Sequence, residues 1–325
     1  MLDLLEKTES EVDRISTLLN QTRRTLRAGY LNWIKRATTK GVLEGVAASV
    51  LVSNIERVLR LADTFAVEYA NLLGNSFVTI ANREADVMTV RLAVLSKAGE
   101  NLDLTDQRLI QILNRNKLNL STNLTRQQRD SIRLGLITGL QRGETTEQIA
   151  RRYRNTLGLS ISQTRALENY QRSLEQTSQS ALTYALRNPK YDSAVERAID
   201  TNDVLTTTQI ERMVGSYAMN LRTARAETIA ATESLKIVNQ ARNMAVRQVA
   251  ERSGAVVANG RKRWLATSSA DPRNDHAAMV GEEVGMDEPF RLPGGVRMMY
   301  PGDTSLGAGP RHVINCKCGI EYIME

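Results

Sequence analysis

Histidine and cysteine are almost missing from this chain of 325 residues, which holds two of each. Aromatic residues make up 4%, and residues 1 to 188 contain no proline. Each scarcity excludes something. Two cysteines in a C-x-C spacing cannot staple a chain of this size, because a disulfide between residues i and i+2 is strained, so reduced thiols are expected. A core with few aromatic rings must be built from Leu, Ile, Val and Ala, as helical bundles are. A long stretch without proline leaves helices uninterrupted. Long apolar runs are missing too. The most apolar stretch, Val42 to Val52, is short and contains Glu44, so no bilayer-spanning segment is expected. The opening MLDLLEKTESEVDR mixes acids with apolar residues and does not read as a secretory signal.

What is present is mixed charge. Charged residues make up 24%, with 43 basic against 36 acidic, a net charge of +7 and a pI near 9.5. Two readings stand: attraction to a polyanion such as DNA, or an ordinary solvated helical surface. Hydrophobic content of 42% supports a buried core, and the length suggests two or three domains.

The scarce residues are not scattered. His276, His312, Cys316 and Cys318 all fall in the last fifty residues, and five of the six prolines (Pro272, Pro289, Pro293, Pro301, Pro310) lie after residue 254. The chain changes character near residue 254. Three regions are expected: a helical N-terminal region over 1–100, a helical region with a basic face over 101–253, and an α+β tail over 254–325. The fold class is mainly α, an elongated helical body carrying a small α+β C-terminal domain.

Residues 1–33 read as a helix, with Leu5, Val12, Leu19, Leu26 and Trp33 every seven residues. The companion positions Thr8, Ile15, Thr22 and Gly29 make only half a coiled-coil seam. Either this helix lies on its own bundle or it meets a second copy. Val42 to Leu95 is helical in pattern, with Gly99 as a stop. Thr125 is a candidate cap for a helix ending at Leu140, and Gly143 closes it. Thr145 or Thr146 opens the next helix, and Ser160 or Ser162 caps another running to Leu186. A short helix follows near Ala194 to Ile199. Thr206 to Thr208 then cap a long helix that Gly254 ends. Between Asp103 and Gly158 ten basic residues stand against five acidic ones. Arg142, Arg151, Arg152 and Arg154 are candidate phosphate contacts, against the alternative of a solvated face.

In the tail, Arg263 to Thr267, Val296 to Tyr300 and Cys316 to Met324 read as strands. Asp271-Pro272 caps a short helix carrying His276, and Glu282 to Phe290 is a strand pair or loop. His276, His312, Cys316 and Cys318 could form a tetrahedral nitrogen and sulfur set for a structural zinc ion. The opposing reading has two small buried thiols and a hydrogen-bonded histidine. Asp271, Asp275, His276, Asp303, His312 and Asn315 have the residue types of a metal-dependent nuclease, but their order fits no such motif.

The ordered set Arg263-Trp264-Leu265-Ala266-Thr267, Asp271-Pro272-Arg273-Asn274-Asp275-His276, Gly281, Glu288-Pro289-Phe290, Tyr300-Pro301-Gly302-Asp303 and Asn315-Cys316-Lys317-Cys318 resembles the tail of the phage Mu F-like minor head proteins. The stretch Arg225 to Glu233 is similar to that family's R-A-x-x-I-A-R-T-E helix and is followed by Asn239. The similarity covers about residues 130–325. Ala231 and Lys317 depart from it, each standing where the family has arginine. The resemblance implies a structural minor capsid or head morphogenesis protein of a tailed phage, bound near the portal inside the head. It would assist assembly, genome packaging or DNA ejection. Implied partners are the portal protein, the major capsid or scaffolding protein, and packaged double-stranded DNA. The implied structural positions are Arg225, Thr232, Glu233, Trp264, Asp271, Arg273, His276, Gly281, Phe290, Pro301, Gly302, Asp303, Asn315, Cys316 and Cys318. Glu233 is expected to hold Arg273 or another base. The alternatives are a metal-dependent nuclease or toxin-like enzyme in the tail, and a stand-alone DNA-binding protein.

Overall fold

The computed structural model describes residues 11–51, 55–93, 103, 105–252, 260–267 and 272–323. The chain is mainly helical, with α1 (Glu11–Ala37), α2 (Lys40–Leu51), α3 (Ile55–Ala93), α4 (Gln107–Gln141), α5 (Thr146–Thr156), α6 (Ile161–Glu175), α7 (Asp192–Asp200) and α8 (Thr207–Arg252). The tail then adds β1 (Arg261–Ala266), α9 (Asn274–Ala277), β2 (Glu283–Gly285), β3 (Phe290–Arg291), β4 (Arg297–Met298), α10 (Pro310–Val313) and β5 (Cys318–Ile323). Among the described residues no helix is long and apolar enough to cross a membrane.

The helix boundaries follow local chemistry. Thr145 caps α5 and Ser160 caps α6, each in a capping box with the glutamine three residues on. Thr206 and Gln209 make the same reciprocal pair at the start of α8. Gly143, at φ +66, ends the turn after α4. Three expectations fail. Thr125 caps nothing, because α4 begins at Gln107 and runs through it without a break. The helix from Ser160 stops at Glu175 rather than Leu186. There Thr177 takes a left-handed φ of 47, and Ser178 accepts a bond from Ser180 N that starts a 3-10 turn. Asp271 and Gly254 lie outside the described residues, but Asp271-Pro272 does not open α9 as expected, because that helix begins at Asn274 with Arg273 at its N-cap.

The structure divides into two compact units rather than consecutive regions. Unit 1 comprises Met1–Ala28, Asn71–Lys117 and Glu227–Glu325, and unit 2 comprises Gly29–Ala70 and Leu118–Ala226. Each of α1, α3, α4 and α8 therefore contributes one segment to each unit. The apolar stripe of α1 is covered within the chain: Leu19, Leu26 and Trp33 are all buried. A seam through these residues is not free for a second copy.

Unit 2 has a core of Leu159, Leu167, Leu174, Val195, Met213, Val214 and Leu221, with Tyr170 and Tyr217 at 4.6 Å between ring centroids. Gly158 is the most closely packed glycine of this unit among the described residues. Its φ is +82, and a Cβ there would sit 2.4 Å from Ile34 Cδ1. Its N–H donates to Gln128 and its carbonyl accepts from Tyr30 Oη at 2.8 Å each. Gly158→Ala should lower stability by roughly 2–3 kcal/mol, combining left-handed strain with overpacking. Urea titration checks this, and an unchanged midpoint would refute it.

In unit 1 the sheet order is β2-β1-β5, antiparallel throughout, with Trp264 opposite Ile320 and Arg263 opposite Glu321. β3 and β4 form a separate ribbon. The strands alternate as a half-buried sheet requires: Trp264, Ile320 and Tyr322 are buried.

Candidate functional site

One face of α8 organises the tail. Thr232, Leu235, Asn239 and Arg242 recur at helical spacing. Thr232 Oγ1 accepts the backbone N–H of Asn315 at 3.3 Å. Leu235 packs against the Pro301-Gly302 turn, where Gly302 has φ +88 and a Cβ would lie 3.0 Å from the Leu235 side chain. Asn239 donates to the carbonyls of Pro301 and Cys318, at 2.9 and 3.2 Å. Arg242 donates to the Ile320 carbonyl at 2.5 Å. This helix face thus reads the backbone of both tail motifs, the P-G-D turn and the C-x-C segment.

Around it the motif residues hold the fold. Trp264 is fully buried, edge-on to Phe290 at 5.2 Å and to His276 at 5.4 Å. Gly281, at φ +87, donates to the Trp264 carbonyl. The buried Asp303 carboxylate accepts from Met299 N and from Ser305 N and Oγ, clamping its turn. Asn315 acts through its backbone, not its side chain: φ is +56, a region asparagine tolerates, and its N–H meets Thr232. Arg273 donates to the Ile314 carbonyl. It does not pair with Glu233, which makes no close ion pair among the described residues. Burial raises the Glu233 carboxyl above its ordinary value, with Lys236 opposing.

The four histidines and cysteines do not form one cluster. His276 Nδ1 faces Cys316 Sγ at 3.3 Å and Cys318 Sγ at 3.7 Å, and all three residues are buried. Hydrogen bonding from Cys318 and His276 favours the thiolate at Cys316. The neighbouring Cys316 and burial push the Cys318 thiol up. His312 stands apart. Its Nε2 accepts from Arg311 Nε at 2.8 Å, which leaves the proton on Nδ1 to donate to Asp275 Oδ2 at 2.7 Å. Both of its nitrogens are occupied, so it is no ligand in this arrangement. The two rings stack nearly parallel at 6.4 Å.

The candidate phosphate contacts lie in unit 2, mostly tied to acids. Arg152 is 7% exposed and pairs with Glu144 and Glu168. Arg142 pairs with Glu175, and Arg151 with Glu211. Of the four, Arg154 alone is without an ion-pair partner among the described residues, and it is exposed. Arg225, in the motif helix, is also buried and structural, bonded to Tyr30 Oη at 3.2 Å and Gln127 at 2.6 Å. A second buried network escaped the sequence: Glu11, Arg14, Glu84 and Arg242 interlock in unit 1. Their spacing along the chain carries no signal of it.

Residues 130–321 match the family described as Phage Mu protein F like protein. No curated protein and no solved structure gives a significant match.

Proposed function

This chain belongs to the phage Mu F-like family and is a phage head morphogenesis protein, and from that premise we propose that it sits inside the head beside the portal, as a low-copy structural component that aids assembly, genome packaging or DNA ejection. The family match over residues 130–321 carries the reading. Two features support it. The motif residues are spent on internal contacts: Arg225 on Tyr30 and Gln127, and Asn239 on two tail carbonyls. They describe a rigid module rather than an open reaction centre. The net charge of +7 suits a place against packaged DNA.

Mass spectrometry of virions before and after genome release tests the location. The protein should be present in full heads. Its loss on release would assign it to ejection, and its absence from mature particles would overturn the proposal of a virion component. Co-purification with portal protein tests the partner. DNA contact should show as affinity falling with salt. Arg154→Ala should reduce the slope of log K against log salt by about 1 if that side chain meets a phosphate. A flat salt response would remove DNA from the list of partners.

A further inference from the structure

We propose that His276, Cys316 and Cys318 bind one divalent zinc-class metal ion through Nδ1 and two Sγ atoms, with His312 outside the ligand set. The geometry comes first. In a tetrahedral site with Zn–N near 2.05 Å and Zn–S near 2.3 Å, a nitrogen and a sulfur ligand lie about 3.6 Å apart. The observed distances from His276 Nδ1 are 3.3 and 3.7 Å, which bracket that value. The three donor atoms all lie within 4.8 Å of one another. A hydrogen-bonded cluster explains this arrangement less well. Two sulfurs converge on one ring nitrogen, which has either one proton or one lone pair and so makes one directed bond, whereas one cation between the three satisfies them all.

The backbone is arranged for the convergence. Cys318 opens β5, whose pairing with β1 fixes it opposite Ala266. The left-handed Asn315 turns the preceding segment so that Cys316 Sγ comes back to 3.4 Å from the Cys318 N–H. That N–H can bond a metal-bound sulfur. His276 comes from α9 and is held edge-on by Trp264. Its Nε2 is buried without a hydrogen-bond partner. One ring nitrogen of His276, one of His312 and an Asp275 carboxylate oxygen also lie within 4.8 Å of one another. The Asp275–His312 pair therefore lies beside the ligand histidine, and Asp275 Oδ1 accepts the His276 backbone N–H at 3.1 Å, not a ring N–H. Three protein donors leave one coordination position for a solvent molecule or another outside donor.

The ion would join three parts of the tail: α9, the turn after α10, and the start of β5. It would stabilise the tail by linkage to folding.

The test uses the full chain, purified with both thiols reduced. It is reconstituted with Zn²⁺ or Co²⁺, desalted and analysed for metal. The expected result is one ion per chain, with sulfur-to-cobalt charge-transfer absorption in the Co²⁺ form. Both thiols should be protected from a thiol reagent until a chelator is added, and the chelator should lower the melting temperature. Cys316→Ser, Cys318→Ser and His276→Asn should each lose the stoichiometric ion, whereas His312→Asn should keep it. Should a ligand variant fail to fold, the wild-type metal count and thiol protection decide alone. A folded wild-type chain with two reactive thiols and no retained metal overturns the proposal. So does retention of the ion by a folded Cys316→Ser variant. Loss of the ion in a folded His312→Asn variant returns His312 to the ligand set and overturns its exclusion.

Discussion

Arg242→Ala should cost about 3–5 kcal/mol of stability, the range for removing one partner of a buried charge network. Arg242 is 1% exposed and reaches three groups at once: Glu84, Glu11 and the Ile320 carbonyl of β5. Arg14 completes the set, bonded to the same two acids. Two acids and two bases balance, so the network is neutral. The alanine variant leaves a buried carboxylate with half its compensation and a strand carbonyl without a donor. The sign of the pH dependence follows. Burial alone would raise Glu84, but Arg242 and Arg14 outweigh it and hold the carboxyl below its ordinary value. Its stabilisation is therefore present above the unfolded-state pKa and is lost as pH falls through the folded one. The double change Glu84→Leu with Arg242→Met restores neutrality with Glu11–Arg14 and should recover most of the loss, except the bond to Ile320. Urea unfolding of the two single variants and the double variant measures the coupling. Additive losses would mean that the four charges do not act as a unit.

The second large effect concerns Lys262, whose Nζ is buried in the tail. It donates to the Met299 carbonyl at 2.8 Å and lies 5.5 Å from the centre of the Phe290 ring. Burial, aided by Arg247, lowers this ammonium to about 8 from 10.5. Between those values the unfolded chain holds a proton that the folded chain has released, so stability should rise with pH across that window. One proton of difference is worth about 1.4 kcal/mol for every step of one in pH, so the rise across the window is about 3 kcal/mol. Buried tyrosines act the other way, mainly above the lysine window, from their ordinary value of 10.0 upward. Tyr153 and Tyr322 are pushed up to about 12, which favours the folded state below their unfolded value and loses that advantage as pH rises. The lysine is therefore read as a difference. Lys262→Met should abolish its part of the pH slope and raise stability at pH 7 by about 1–2 kcal/mol, after the loss of the Met299 hydrogen bond. Equal slopes in the parent and the variant from pH 7.5 to 10.5 would refute a depressed lysine.

These two networks mark the limit of what could be read along the chain. Caps, turns and strands are local, and most were legible: Thr145, Ser160 and Thr206 sit where their hydroxyls open helices, and Gly143 and Gly302 sit at positive φ. The misread boundaries are local as well. Thr125 has the chemistry of a cap, but nothing between Gln107 and Gln141 breaks the helix it lies in. At Thr177 a left-handed residue with no glycine signal ended α6 early.

The candidate site divides in the same way. The alternating apolar residues of β1 and β5, the C-x-C spacing and the scarcity of proline before residue 189 are properties of neighbours in the chain. They settle the helical body, the α+β tail and the clustering of the rare side chains, because backbone preference and periodicity act over a few residues. Which nitrogen faces which sulfur was beyond their reach. Four residues suited to one metal lie close in sequence, yet the fold turns His312 toward Asp275 and Arg311 and leaves His276 with the thiols. Glu84 and Arg242 stand 158 residues apart and meet in the core. Charge partners and metal ligands are chosen by side-chain direction across packed elements, and that direction exists only once the helices and the sheet have met.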